Sequence, residues 1–340
     1  MKSSQIACYY YPSTVIFLDD SERFLNKISL ELDNRLAYLT LTDPNLALEY
    51  IQKISDPNRL IDRLLSENQD SDTFGLKPTE HEFKVNISTL YREIYNPERF
   101  NEPTVIVVDY SMPAMNGLEV CKRLKDSPIK KIMLTGDADQ SLAVDAFNEG
   151  LIDKFILKKD ANVGQKINAA ILELQDKYFL NLSQVLLKNL NTQPNSCLKD
   201  PKFAEFFNEI CQTQKIHEYY LINILGSYLL LKEDGELLWF TVASEEDMDY
   251  YHELAESDGA SEDILKLLKE RRKIPYFHKL YAYVDAKGIN WEAYMHDAQK
   301  IEGENTTFYY ALVSKPDLFE IKKDKTLSFK DYLEKVWPPI

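Results

Sequence analysis

Five short runs drawn from a β-rich, apolar alphabet alternate with stretches of helical spacing through the first 160 residues: TVIFLDD (14–20), LAYLTLT (36–42), TVIVVD (104–109), KIMLT (131–135) and KFILK (154–158). After the first run, SERFLNKISLEL puts Phe24, Ile28 and Leu32 on one helical face. DPNLALEYIQKI opens with Asp43 as a cap and Pro44 at the first helical position. GLEVCKRLKD and QSLAVDAFNEG read as the helices between the later runs. Strands that alternate with helices build right-handed β-α-β units, so the chain should form a five-stranded parallel sheet wrapped on both faces, an α/β fold. Such a sheet binds its ligands beyond the carboxyl ends of its strands.

Polar residues fall at those ends. Asp19 and Asp20 close the first run, Asp109 the third, Thr135 the fourth and Lys158 the fifth. One polar residue leaving a core strand is ordinary, but five at one edge make a site. Three carboxylates repel one another unless a cation joins them, and their hard oxygens suit Mg²⁺. An ion held there leaves one aspartate oxygen free to attack phosphorus, while the metal and a lysine neutralise charge on the phosphoryl oxygens. The expected chemistry is acceptance of a phosphoryl group.

The acidic pair in FLDDS, the segment VVDYSMPAMNG with Met112, Pro113 and Gly117 after its aspartate, Thr135 in MLTG and Lys158 in FILK together resemble the receiver domain of bacterial two-component response regulators. The resemblance covers about residues 14–175. It implies that Asp109 is the phosphoacceptor, that Asp19, Asp20, Asp109 and the Ser111 backbone carbonyl hold Mg²⁺, and that Thr135 and Lys158 contact the phosphoryl group. Phe155 takes the place of the aromatic switch. The implied partner is a sensor histidine kinase or phosphotransfer protein, and the implied chemistry is phosphotransfer to the chain's own aspartate and autodephosphorylation, with no further enzyme activity. Two features depart from the pattern. Receivers usually carry proline, after a cis peptide, where Lys159 follows Lys158, so this bond should be trans or strained. Some 48 residues, Ser55 to Glu102, also stand where a short link is usual. Within them DPNRLIDRLLSEN and VNISTLYREIYNPERF show helical spacing, predicting one or two inserted helices.

From Asp160 to Leu190 no proline interrupts the chain, and Val163, Ile167, Ile171, Leu174, Tyr178, Leu182 and Val185 recur at three- and four-residue steps. The spacing predicts a connecting helix over 161–190, longer than one small domain can cover. Its stripe should meet either the second domain or the same helix of a second subunit, and a phosphorylation-promoted homodimer is the expectation. The second half then changes character. NTQPNSCLKDP reads as a linker, Asp200 and Pro201 as a helix start, and SYLLLK-EDGE-LLWFTV as a hairpin turning at Gly235. Ser244 and Ser261 cap two acidic helix starts, NTTFYYALVS reads as a strand and SFKDYLEKV as a terminal helix. The predicted organisation is a receiver over 1–160 with its insertion at about 55–102, the connecting helix, and an α+β output domain with an antiparallel sheet over 191–340.

Charge bears on what that output can touch. The net charge is −15, and residues 181–340 carry 19 basic against 27 acidic residues, a balance of −8. That sign repels nucleic acid and anionic membrane, and no basic recognition helix is present, so DNA binding is not expected. Four scattered cysteines make neither a disulfide framework nor a zinc site. With no long apolar span and no secretory signal, the chain is expected in the cytoplasm. The output should act through protein contacts; an enzyme or a nucleotide- or metabolite-binding module is the alternative, and an atypical transcription factor a weaker one. The whole layout, with EIYNPERF in the insertion, resembles the quorum-sensing response regulators of the Legionella type. That likeness implies a dimerising regulator whose output is similar in topology to nucleotide-binding domains.

Overall fold

The computed structural model describes residues 5–55, 60, 65–67, 83–85, 87–113, 115–136, 139–190, 196–277, 290–314, 321 and 325–336. The chain packs as two compact units. One comprises Tyr10–Arg63, Asn96–Ser183 and Phe329–Ile340, the other Met1–Tyr9, Leu64–Tyr95 and Gln184–Ser328.

The first unit is built on the five predicted runs. β1 (Thr14–Leu18), β2 (Tyr38–Leu41), β3 (Pro103–Asp109), β4 (Lys130–Thr135) and β5 (Lys154–Leu157) form a parallel sheet in the order β2-β1-β3-β4-β5. Between and after them come α1 (Glu22–Ser29), α2 (Pro44–Ser55), α3 (Gly117–Arg123), α4 (Gln140–Asn148) and α5 (Val163–Asn189). β1 and β3 are buried along their whole length because both faces are covered. Alternate strand residues sort to opposite faces. Ile16, Leu18, Ile106, Val108 and Met133 pack with Ala47, Ile51, Val120, Cys121, Ala143 and Ala146 of α2, α3 and α4. Val15, Phe17, Val105, Val107, Ile132 and Leu134 pack with Leu25 and Ile28 of α1 and Val163, Ile167, Ala170, Ile171 and Leu174 of α5.

α5 has the predicted length, 27 residues or about 40 Å. Its stripe, however, is largely spent on the receiver's own sheet: Ile167, Ile171 and Leu174 are fully buried there. Tyr178 is interior too, donating from its hydroxyl to Glu102 Oε1 (2.6 Å) and lying edge-on to Phe179. Beyond it the buried side becomes Phe179, Ser183 and Leu186, so Leu182 is half-buried and Val185 exposed. The cause is geometric, since a helix of 3.6 residues per turn drifts away from any fixed three-and-four spacing.

Where one or two helices are expected in the insertion, Leu65–Glu67 pairs antiparallel with Phe83–Val85 as a small strand pair. The rest of DPNRLIDRLLSEN, apart from Leu60, lies outside the described residues. The second expected helix is a short one, Ser88–Arg92, followed by single tight turns at Glu93–Tyr95 and Arg99–Asn101. The terminal helix, Phe329–Lys335, belongs to the receiver unit: Phe329 is buried with its ring 5.1 Å from that of Phe100, and Tyr332 donates to Asn101 Oδ1 at 2.6 Å.

In the second unit β6 (Ile216–Leu221), β7 (Tyr228–Lys232), β8 (Leu237–Ser244), β9 (Gln299–Glu302) and β10 (Thr307–Val313) form an antiparallel sheet in the order β6-β7-β8-β10-β9. The N-terminal strand Tyr9–Tyr10 extends it beside β6, where the Leu221 N–H donates to the Cys8 carbonyl (2.7 Å). The β7–β8 hairpin turns at Gly235, whose φ of +77° explains the glycine. Gly226 has φ +97°, and a Cβ there would stand 2.1 Å from Cys197 Sγ. α6 (Pro201–Thr213), capped by Asp200, sets Phe203 and Phe207 against Phe240. α7 (Glu245–Ser257) and α8 (Glu262–Lys269), capped by Ser244 and Ser261, bury Met248, Tyr251, Ile264 and Leu268 against Ala243, Tyr309 and Ala311. The aromatics Tyr220, Trp239, Phe240, Tyr309 and Tyr310 are buried, so they build this core.

Candidate functional site

The carboxyl edge of the parallel sheet collects the five residues singled out by the strand ends. At the end of β1 the backbone remains tied to the sheet through the Asp19 N–H and Leu41 carbonyl (3.1 Å). The Asp19 side chain turns inward and is 1% exposed, while Asp20 faces solvent. The next residues fix that choice. The Ser21 N–H donates to Asp19 Oδ1 (2.9 Å), and Ser21 Oγ in turn accepts from the Phe24 N–H as the cap of α1. DDSERF therefore encodes one buried carboxylate, one exposed carboxylate and a helix start in immediate succession.

At the end of β3, Asp109 is 5% exposed. Its register is held by the Tyr110 N–H on the Leu134 carbonyl (2.9 Å) and the Gly117 N–H on the Tyr110 carbonyl (3.0 Å). A Cβ on Gly117 would lie 2.3 Å from the Asp109 carbonyl oxygen, so only glycine lets α3 begin this close to the strand. Asn116 caps that helix by accepting from the Glu119 N–H. Met112 is buried in the core beneath, which anchors the loop; Ser111 is exposed beside it and donates from Oγ to Asp139 Oδ2 at 3.1 Å. Thr135 is fully buried with its hydroxyl on the Gly136 carbonyl (3.0 Å). The Lys158 N–H holds the Thr135 carbonyl (3.0 Å), and Lys158–Lys159 sit in a turn closed by the Asp160 N–H on the Leu157 carbonyl.

These anchors bring the side chains together. Lys158 Nζ lies 2.6 Å from Asp19 Oδ2 and 2.9 Å from Asp109 Oδ2, bridging the two buried carboxylates. Asp19, Asp20 and Asp109 each offer an oxygen, all within 4.8 Å of one another. Three carboxylates against one ammonium leave a formal charge of about −2, the charge a divalent cation offsets. Burial pushes the Asp19 carboxyl above the usual carboxylate range, and the Lys158 ammonium offsets that only in part. Asp19 Oδ2 is buried, with the Lys158 ammonium as its ion-pair partner. The donor set is all oxygen, as Mg²⁺ requires.

Phe155 sits within β5, half-buried, with its ring 6.4 Å from that of Phe147 on α4. Of the stripe on α5, Ile167, Ile171, Leu174 and Tyr178 lie in the receiver interior and Leu182 is half-buried, so none joins the acidic edge. Two contributors were not legible as such. In the sequence Phe24 belongs to the apolar face of α1, yet its ring lies under Lys158 Nζ, 4.7 Å from the centroid. Asp139 had no signal beyond its place shortly after Thr135.

The pattern of the response regulator receiver domain matches residues 78–168, which include Asp109, Thr135 and Lys158. The solved structure of the response regulator LqsR from Legionella pneumophila matches with a TM-score of 0.82 and 37% identity, covering 99% of this chain and 97% of that one. Two further structures align with about half of the chain. An adenylate cyclase from Rhodopirellula baltica gives 25% identity over 53% of this chain and 99% of that one, with a TM-score of 0.36. A response regulator receiver domain protein from Clostridium thermocellum gives 17% identity over 51% and 98%, with a TM-score of 0.33. No curated protein matches. A five-stranded parallel sheet with this acidic edge is the architecture of a response regulator receiver domain. The chain belongs to the response-regulator family, as a relative of LqsR along its whole length.

Proposed function

We propose that Asp109 accepts a phosphoryl group from a sensor histidine kinase or phosphotransfer protein, in a cytoplasmic phosphorelay that serves quorum sensing. The reading is carried by one observation: Lys158 bridges Asp19 and Asp109 at the sheet edge, with Asp20 completing an all-oxygen cluster. Asp19, Asp20, Asp109 and the Ser111 carbonyl would hold Mg²⁺, which supplies charge neutralisation at the phosphoryl oxygens. The free Asp109 oxygen forms the new bond to phosphorus as the bond to the donor nitrogen breaks. Lys158 moves its ammonium from the Asp109 carboxylate to a phosphoryl oxygen, and Thr135 exchanges the Gly136 carbonyl for the same group. Phe155 follows Thr135 inward as the switch. Water later releases phosphate, so the signal is transient.

The added charge biases a face formed by α4 and α5 toward self-association. Exposed Leu142, Val144 and Phe147 on α4 and Leu172 on α5 support that placement. The output domain then acts through protein contacts, since the net charge of −8 over residues 181–340 disfavours nucleic acid. Among the described residues no helix is long and apolar enough to cross a membrane. Intact-mass measurement after incubation with acetyl phosphate and Mg²⁺ tests the reading. One hydroxylamine-labile phosphate is expected on the wild type and none on Asp109→Asn or after chelation; a label that survives the substitution overturns it.

A further inference from the structure

Lys158 carries the only ammonium that touches the two buried carboxylates among the described residues, and something must hold a four-carbon flexible side chain there. Its backbone is fixed by the Thr135 carbonyl, but that leaves the whole side chain free to turn. On one side the ammonium faces Asp19 and Asp109. On the other it meets the ring of Phe24, with Nζ 4.7 Å from the centroid. That distance lies inside the range of about 6 Å over which a cation is drawn to the electron-rich face of an aromatic ring.

Phe24 is itself held rigidly. It is the third residue of the first turn of α1, and its N–H donates to Ser21 Oγ (3.2 Å) and to the Ser21 carbonyl (2.9 Å). Its ring is half-buried against the core formed by α1, α5 and the sheet. The same Ser21 donates its N–H to Asp19. One turn of chain, Asp19 to Phe24, thus supplies both the carboxylate in front of the lysine and the ring behind it.

We propose that Phe24 is a positioning residue for the phosphoacceptor site: its ring holds the Lys158 ammonium over the acidic edge, so that it is in place when a phosphoryl oxygen arrives. The inference rests on the proposed phosphoacceptor function and adds a residue to it. Leucine at position 24 keeps an apolar side chain but has no ring face, so Lys158 would populate rotamers directed to water. Preorganisation, and with it the affinity for a phosphoryl mimic, would fall.

Two measurements on the full chain test this. In metal-free protein, the Lys158 ε-methylene protons, assigned by their loss in Lys158→Met, should be shifted upfield by the ring current of Phe24 and return to ordinary values in Phe24→Leu. With Mg²⁺, the affinity for beryllofluoride should fall about three- to tenfold in Phe24→Leu. It should also fall stepwise when Phe24 is replaced by phenylalanines carrying one, two and three ring fluorines. Fluorination drains the ring face while keeping shape and burial, so a purely structural role predicts a flat series. A flat series with unshifted methylene protons overturns the proposal. If wild-type protein fails to bind beryllofluoride, the phosphoacceptor reading falls, and the ring-current shift alone decides whether Phe24 places Lys158.

Discussion

Replacing Gly117 by alanine strikes the contact that sets the height of the acidic edge. The new Cβ would stand 2.3 Å from the Asp109 carbonyl oxygen, and ordinary contact begins at 3.4 Å, so 3.4 − 2.3 = 1.1 Å must be found by movement. Neither side has room. The Asp109 end of β3 is paired with Leu134, and Val108 Cγ2, fully buried, is already 3.1 Å from the same Cβ position. Overpacking of this kind costs about 1–3 kcal/mol. For a unit of this size about 2–4 °C of melting temperature is lost per kcal/mol, which gives a fall on the order of 2–12 °C. The larger effect is positional. A shift near 1 Å spoils the 2.9 Å approach of Lys158 to Asp109, and misplacement of that size lowers rate constants by about 100-fold. Calorimetry and the rate of labelling by acetyl phosphate measure the two effects. Gly136→Ala is the control, because among the described residues the closest atom a Cβ there would meet is Asp139 Oδ2 at 4.0 Å; it should stay within about 0.5 kcal/mol of wild type. Gly117→Ala that melts and labels like wild type would refute the argument.

Phe329→Ala should destabilise the receiver unit by about 3–5 kcal/mol, because the ring is 1% exposed and packs on Phe100. Its melting temperature should drop by on the order of 10 °C, and an unchanged melt would show that the terminal helix is not part of that core. Burial, and then nearby Lys273, hold the His296 pKa below its ordinary value. The unfolded chain therefore takes up the proton first as pH falls through about 6.5, and stability is lost from there down to the folded-state pKa. Denaturant melts at about pH 7 and about pH 5.5 should show wild type losing more stability than His296→Gln; parallel losses would remove His296 as the cause.

The receiver was legible because its strands end in polar side chains. Asp19, Asp109, Thr135 and Lys158 mark one edge, and strand pairing in a parallel sheet leaves no other place for them to meet. Caps were equally readable: Asp200, Ser244 and Ser261 each accept from a backbone N–H in the first turn of their helix. What periodicity does not carry is the identity of the covering surface. Ile167, Ile171 and Leu174 showed an apolar stripe, but only the fold reveals that α1 and the sheet cover it. Contacts between distant segments were hidden for the same reason, as with Phe329 on Phe100 and Leu65–Glu67 with Phe83–Val85. The Phe24–Lys158 contact joins a helix start to a strand end 134 positions away, and no local pattern announces it.

A structure of the chain with Mg²⁺ and beryllofluoride tests the central claim most directly. The account predicts beryllium bonded to an Asp109 carboxylate oxygen and Mg²⁺ held by Asp19, Asp20, Asp109 and the Ser111 carbonyl. Lys158 Nζ and Thr135 Oγ1 should both touch fluorine, with the ring of Phe24 still behind the ammonium. Beryllofluoride on another residue, or Lys158 turned to solvent while the adduct sits on Asp109, would contradict it.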